Sequence, residues 1–231
     1  MKILSTILIV GLGSIGARHA RIIQSNYPKI KIIALRHKKS QNTEDELVNV
    51  SNSVSSISKA LEFGPEAAII SNPASKHIEI ARKLAAQGIH LLIEKPLSNR
   101  SQGVQQLIDL CKENNVLLMT GYNLRFLPSL REFKKQIDAQ KPGQLFSIRA
   151  EVGQYLPSWR LGKNYRDSVS AQSDLGGGVL LELSHEIDYL LWIFGKINWV
   201  KSHVSKQSDL DIDVEDCAQI LIGFNKKSSK E

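Results

Sequence analysis

Cysteine is nearly absent from this chain. Two in 231 residues, Cys111 and Cys217, stand far apart and form no Cys-x-x-Cys pair. That excludes a disulfide framework and a cysteine-based metal or redox motif, and it points to a reducing compartment, the cytoplasm. Long apolar runs are missing too, so no segment reads as a membrane span. The formal charge of +7 comes from 30 basic residues interspersed with 23 acidic ones. No basic stripe interleaved with aromatics emerges, which argues against a nucleic-acid partner. Internal repeats, low-complexity tracts and long linkers are also lacking. What remains, 42% hydrophobic and 23% charged, is an ordinary globular composition with core enough for one large domain or two modest ones.

The most informative stretch is Ile7-Leu8-Ile9-Val10-Gly11-Leu12-Gly13-Ser14-Ile15-Gly16, an apolar strand running into G-x-G-x-x-G and then a helical pattern. In a dinucleotide loop, Gly11 permits the tight turn, Gly13 keeps a side chain away from a pyrophosphate, and Gly16 lets the helix pack closely. The first helical residues, Ser14 and Ile15, offer backbone N–H groups to the phosphates. Flavin proteins and methyltransferases use similar loops. A rival reading takes Lys2 and the apolar run to Ala17 as a short signal peptide. Three glycines at nucleotide-loop spacing would then be an accident, and Arg18, His19 and Arg21 make a poor cleavage region.

From residue 1 to about 121, strand candidates (6–10, 30–35, 67–71, 89–93, 116–120) alternate with helix candidates (14–26, 75–87, 101–114). Such alternation predicts an α/β, doubly wound parallel sheet. Runs such as Ala67-Ala68-Ile69-Ile70 suit strands buried on both faces. Beyond Gly121 the texture changes. A helix over 128–138, a strand over 144–154, a Trp/Tyr/Arg-rich loop over 155–172, one helix from Gly178 to about Phe194 and strands over 198–207 and 214–224 predict a second, α+β domain with an open, mainly antiparallel sheet. The expected domains are 1–121 and 122–231.

About 20 residues past the glycine loop, a carboxylate would bind the ribose of NAD, whereas an Arg accommodates the 2′-phosphate of NADP. Arg36 stands there, with Lys38 close behind and no carboxylate before Glu44. The expectation is NADP(H), with NAD(H) open; the alternative is a solvated basic turn. Ile93-Glu94-Lys95-Pro96 lies at the carboxyl end of a buried strand, where ligands bind in open α/β sheets. A partly desolvated Lys95 there suits proton transfer or hydrogen bonding to a reacting hydroxyl. Pro96 fixes the turn and is a candidate for a cis bond. No metal-ligand spacing occurs.

The ordered set Ser71-Asn72-Pro73 with His77, Gly88-Ile89-His90, Glu94-Lys95-Pro96, Gly121 to Phe126, and Gly176-Gly177-Gly178-Val179-Leu180-Leu181-Glu182-Leu183-Ser184-His185-Glu186-Ile187-Asp188 resembles the Gfo/Idh/MocA family of sugar-type oxidoreductases. The resemblance covers essentially the whole chain and implies a Rossmann N-terminal domain. It implies that Gly11, Gly13 and Gly16 hold pyrophosphate and that Asn72 and Pro73 lie near the nicotinamide ribose. Glu94 falls on the cofactor side, while Lys95 projects toward the substrate hydroxyl. His185 would be the general acid/base accompanying hydride transfer, with Asn123 and Arg125 on the substrate side. Many members carry Asp where Leu181 stands; Glu182 then takes the acid's place, as in a subgroup reading Leu-Ser-His-Glu-Ile-Asp.

The helix makes local sense as well, since Glu182, His185 and Asp188 recur every three residues and would share one face of a continuous helix. Without a ligand, His185 would be a core or surface histidine, and Asp188 reads as structural. Gln154 to Arg166 supplies aromatics and arginines, with Arg160 and Tyr165 as substrate candidates for a sugar or sugar acid. That loop resembles members linked to surface-sugar and sialic-acid-like biosynthesis; its alternative is a packing loop. Family members continue past Phe224, so the resemblance implies an incomplete second sheet with an exposed edge, covered in a homo-oligomer. A nucleotide-binding paralogue without catalysis is the competing reading.

Overall fold

The computed structural model describes residues 4–36, 49–159, 162 and 164–225. They fall into two compact units, 1–121 and 122–231.

In the first unit six parallel strands form one sheet: β1 (Thr6–Val10), β2 (Lys31–Leu35), β3 (Asn52–Val54), β4 (Ala67–Ile70), β5 (His90–Ile93) and β6 (Leu118–Thr120). Their spatial order is β3-β2-β1-β4-β5-β6. The chain reverses direction of travel across the sheet between β1 and β4, whose register pairs Ile7 with Ala67 and Val10 with Ile70. Helices α1 (Ser14–Asn26), α2 (Ile57–Leu61), α3 (His77–Ala85) and α4 (Val104–Glu113) connect the strands.

Strand alternation divides the apolar side chains into two cores. Leu8, Ile33, Ala68, Ile70 and Ile93 pack with Leu84 of α3 and Leu107 of α4. Ile7, Ile9, Ile32 and Ile69 pack on the opposite face with Ala20 of α1. Every residue of β1 is therefore buried, which is why Ile7 to Val10 is continuously apolar rather than alternating. A buried branched side chain contributes about 1.5–3 kcal/mol, so these two layers dominate the unit's stability. Neither β3 nor α2 was predicted. Asn52-Ser53-Val54 is short, polar and at the sheet edge, so it lacks the apolar signature of a central strand. Helix α2 starts at the N-cap Ser56, whose side chain accepts from Lys59 N–H.

The second unit contains α5 (Pro128–Asp138), α6 (Val179–Glu182), α7 (His185–Phe194) and a two-stranded antiparallel sheet of β7 (Ile197–Ser205) and β8 (Cys217–Phe224). Two expectations need correction. Residues 145–154 are exposed and belong to no strand. Phe146, Ile148 and Val152 fall on alternate positions as expected, but alternation makes a strand only where a neighbour supplies a ladder. The helix expected from Gly178 to Phe194 is two helices, interrupted at Leu183 and Ser184. Distant anchors hold the short first piece. Glu215 accepts from Val179 N–H through its backbone carbonyl (3.0 Å) and from Leu180 N–H through its carboxylate (3.2 Å), and Ser170 Oγ donates to Glu182 (3.0 Å). Among the described residues, no helix is long and apolar enough to cross a membrane.

Candidate functional site

The site in the first unit lies beyond the carboxyl ends of β1, β4 and β5, beside the point where the strand order reverses, the general location of ligands in open α/β sheets. Gly11 leaves β1 at φ +86°, and a Cβ there would lie 2.9 Å from Asn72 N. Its own N–H donates to Leu35 (2.9 Å). A Cβ on Gly16 would fall onto the Gly11 carbonyl oxygen and within 2.8 Å of Ser71 Oγ. Ser71 seals this contact by donating to Gly11 O (2.8 Å) and Val10 O (3.1 Å). Gly13 differs, because a Cβ there meets nothing within 4 Å.

Gly13, Ser14 and Ile15 are exposed, and α1 has neither a side-chain cap nor an acidic residue in its first turn. An uncapped helix start of this kind, with the helix dipole behind it, suits an anion. Asn72 Oδ1 and Ser75 Oγ are buried polar atoms without a hydrogen-bond partner among the described residues. Buried acceptors of this kind are costly unless satisfied. An open glycine face, an uncapped helix start and an unsatisfied Asn72 amide together fit a dinucleotide.

Arg36 follows β2 directly, its N–H donating to Val54 (2.9 Å) at the edge of the same strand ends. Lys38 lies outside the described residues. Glu94 and Lys95 leave β5, and the Lys95–Pro96 bond is cis. Burial opposes ionisation of Glu94, yet the His19 ring at 2.6 Å, the Lys95 N–H at 3.3 Å and the Lys95 charge hold its carboxyl below the usual range. Sequence reasoning missed His19. His77, in the sequence only a marker of the β4 exit, has a buried side chain that links two loops: Nδ1 meets Pro96 O at 3.0 Å and Nε2 meets Asn72 O at 2.7 Å. The position of His77 just past the β4 exit was a signal for such a role. His19 carried none, because its partner lies 75 residues away.

In the second unit His185 is the first residue of α7 and is half-buried. Its ring meets Tyr122 edge-on, with centroids 5.6 Å apart. Tyr122 O–H donates to Ser184 Oγ (3.4 Å). Arg125 donates to Asp188 through Nε (2.8 Å) and Nη2 (2.7 Å), one turn along α7 from His185. The guanidinium lies 6.0 Å from the Trp192 ring. Arg125, expected on the substrate side, thus spends two donors on a buried carboxylate, that of Asp188. Asn123 is exposed on the same short turn (Asn123–Phe126). Glu182 and His185 belong to separate helices, so the shared helical face drawn from their spacing is corrected.

Tyr165 lines a cavity of about 420 Å³ with Trp159, Asn164 and Asp167. Its hydroxyl accepts from Asp211 N–H (3.3 Å). Arg160 lies outside the described residues. Among those described, no group of three His, Cys, Asp or Glu could hold a metal ion.

Residues 5–122 match a family described as an oxidoreductase family with an NAD-binding Rossmann fold, and residues 130–229 match a Gfo/Idh/MocA C-terminal domain. The chain belongs to the Gfo/Idh/MocA oxidoreductase family. An uncharacterised oxidoreductase of Synechocystis is 28% identical over 206 residues, 87% of this chain and 54% of the relative. Levoglucosan dehydrogenase of Pseudarthrobacter phenanthrenivorans is 30% identical over 138 residues, 59% of this chain and 35% of the relative. A solved levoglucosan dehydrogenase, in complex with NADH and levoglucosan, superposes with a TM-score of 0.79 at 24% identity, covering 95% of this chain and 63% of that one. That likeness shows the shared Gfo/Idh/MocA fold. The chain spans about half the length, or less, of these curated relatives.

Proposed function

We propose that the chain carries the cofactor site and part of the substrate site of an NAD(P)-dependent oxidoreductase that moves hydride between nicotinamide and a secondary hydroxyl or ketone of a sugar derivative. The observation that carries this reading is Lys95 at the exit of β5, the strand next to β4, on the sheet whose reversal point holds the open Gly13 cradle. Residues Gly13 to Ile15 bind pyrophosphate through backbone N–H groups. Asn72 presents its amide to the ribose beside Pro73. Arg36 meets a 2′-phosphate, and with no carboxylate at that position NADP(H) is favoured over NAD(H). When bound, the nicotinamide supplies the hydride chemistry.

The side chains manage position and protons. Lys95 Nζ donates a hydrogen bond to the reacting oxygen, and a ring nitrogen of His185 takes the hydroxyl proton as hydride leaves or returns it in the reverse direction. Glu182 is the acid that supports His185. Asn123 and Tyr165 contribute sugar contacts, Tyr165 from a cavity whose size and Trp159 face suit a sugar ring. Exposed Trp199, Val200 and Leu221 on β7 and β8 favour a homo-oligomer through this sheet. Two free cysteines suit the cytoplasm. The test is a panel of free sugars and sugar nucleotides assayed with wild type and Lys95→Ala. Turnover should fall at least ~100-fold while dinucleotide binding is kept. Equal turnover by the variant would remove Lys95 from the reaction.

A further inference from the structure

Two histidines from different helices bracket the turn that carries Lys95. On one side His77 of α3, 1% exposed, meets the carbonyl oxygens of Asn72 and Pro96. On the other, His19 of α1 meets Glu94 Oε1 at 2.6 Å, with both side chains largely shielded (24% and 17% exposed). The Glu94 carboxylate is confined further. It accepts from Lys95 N–H through Oε2 (3.3 Å), and a Cβ on Gly121, just past β6, would stand 3.0 Å from the same oxygen. The acid before Lys95 is thus held by α1, by its own turn and by the end of β6.

Helix α1 begins at Ser14 in the phosphate cradle, so His19 lies about one and a half turns from the proposed pyrophosphate contacts. A helix of this length moves as a stiff rod, and His19 ties it to the Lys95 turn through Glu94. We infer that His19 is a positioning residue, fixing the Glu94-Lys95-Pro96 turn to the helix that bears the cofactor cradle. The inference rests on the cofactor reading above. Its physical content is preorganisation: with His19 in place, the cradle and the Lys95 turn are already mutually ordered when a dinucleotide arrives, and binding does not bear that ordering cost.

Three substitutions separate this role from a general structural one. His19→Gln places an amide near the position of Nε2 and keeps the donor to Glu94. His19→Asn reaches only as far as Nδ1, and His19→Ala supplies nothing. Nicotinamide fluorescence would give dissociation constants for NADH and NADPH, hydrogen exchange would follow the Lys95 amide, and thermal unfolding would give the midpoints. Binding should weaken about tenfold in the Asn and Ala variants, equally for both dinucleotides because His19 does not meet the 2′-phosphate, and Lys95 N–H exchange should speed up by a similar factor. The Gln variant should return both to within about threefold of wild type, at a thermal midpoint like that of Asn. Asn and Ala variants that bind like wild type, or a Gln variant no better than Ala, would overturn the role of His19. A wild-type chain that binds neither dinucleotide would instead overturn the cofactor reading, and this inference with it.

Discussion

Arg125 grips Asp188 with two parallel hydrogen bonds, Nε to Oδ2 at 2.8 Å and Nη2 to Oδ1 at 2.7 Å. The carboxylate is buried, with 9% of its side chain exposed, while the guanidinium is 42% exposed and also faces Trp192. The bonds to Asp188 hold the arginine above its ordinary pKa, against burial. Removing Arg125 leaves a buried charge unpaired, which costs more than the pair itself contributes. Arg125→Ala should lower stability by about 2 kcal/mol, discounted for the exposed guanidinium. Arg125→Lys should recover only part, because an ammonium does not reproduce the planar fork. Urea midpoints check both, and an alanine variant as stable as wild type would contradict the pairing.

Gly13 and Gly16 should separate binding from folding. Gly13→Ala adds a methyl group into open space at φ −74°, so stability should change by less than about 1 kcal/mol. That same methyl faces the proposed pyrophosphate, and dinucleotide affinity should fall at least ~10-fold. Gly16→Ala drives its Cβ into the Gly11 carbonyl oxygen and should destabilise by about 1–3 kcal/mol. Paired unfolding and fluorescence titrations read the two effects; equal loss of stability in both variants would refute the distinction.

His77 sets a pH limit on the first unit. Burial pushes its pKa below the ordinary histidine value, outweighing the carbonyls of Asn72, Pro96 and Leu97 and the Glu94 charge, which pull it up. The folded state therefore prefers the neutral ring. Its stabilising contribution is present above the unfolded pKa of about 6.5 and is lost as pH falls from there toward the lower folded value. Unfolding free energy measured at pH 8 and pH 5.5 should fall more in wild type than in His77→Gln, whose amide does not titrate. Identical pH slopes would count against a neutral buried His77.

Arg36 tests the choice of cofactor. Arg36→Asp should reverse the preference, weakening NADPH by about tenfold, on the order of 1.4 kcal/mol, and leaving or improving NADH. If the ratio of the two affinities is unmoved, Arg36 is a solvated surface residue.

The features legible in the sequence were those set by local pattern. The apolar runs of β1, β4 and β5 are continuous because both faces of the sheet are covered, and the glycine spacing marks the turn after β1 by itself, although the Ser71 and Asn72 atoms packed against that turn are distant in sequence. Long-range contacts were hidden. The break between α6 and α7 interrupts a periodicity that runs on unbroken, since the anchors Ser170 and Glu215 lie elsewhere in the chain. In the sequence His19 is one polar residue of an amphipathic helix, and its partner Glu94 lies 75 residues away. The 145–154 segment shows the converse, a strand-like alternation with no ladder to join.

The most direct test of the account is a fluorescence titration of the chain with NADPH and NADH in parallel. The account predicts saturable binding of both at one site, tighter for NADPH and at least ~10-fold weaker in Gly13→Ala. Absence of binding to either dinucleotide would contradict it outright, and tighter binding of NADH would contradict the assignment of Arg36.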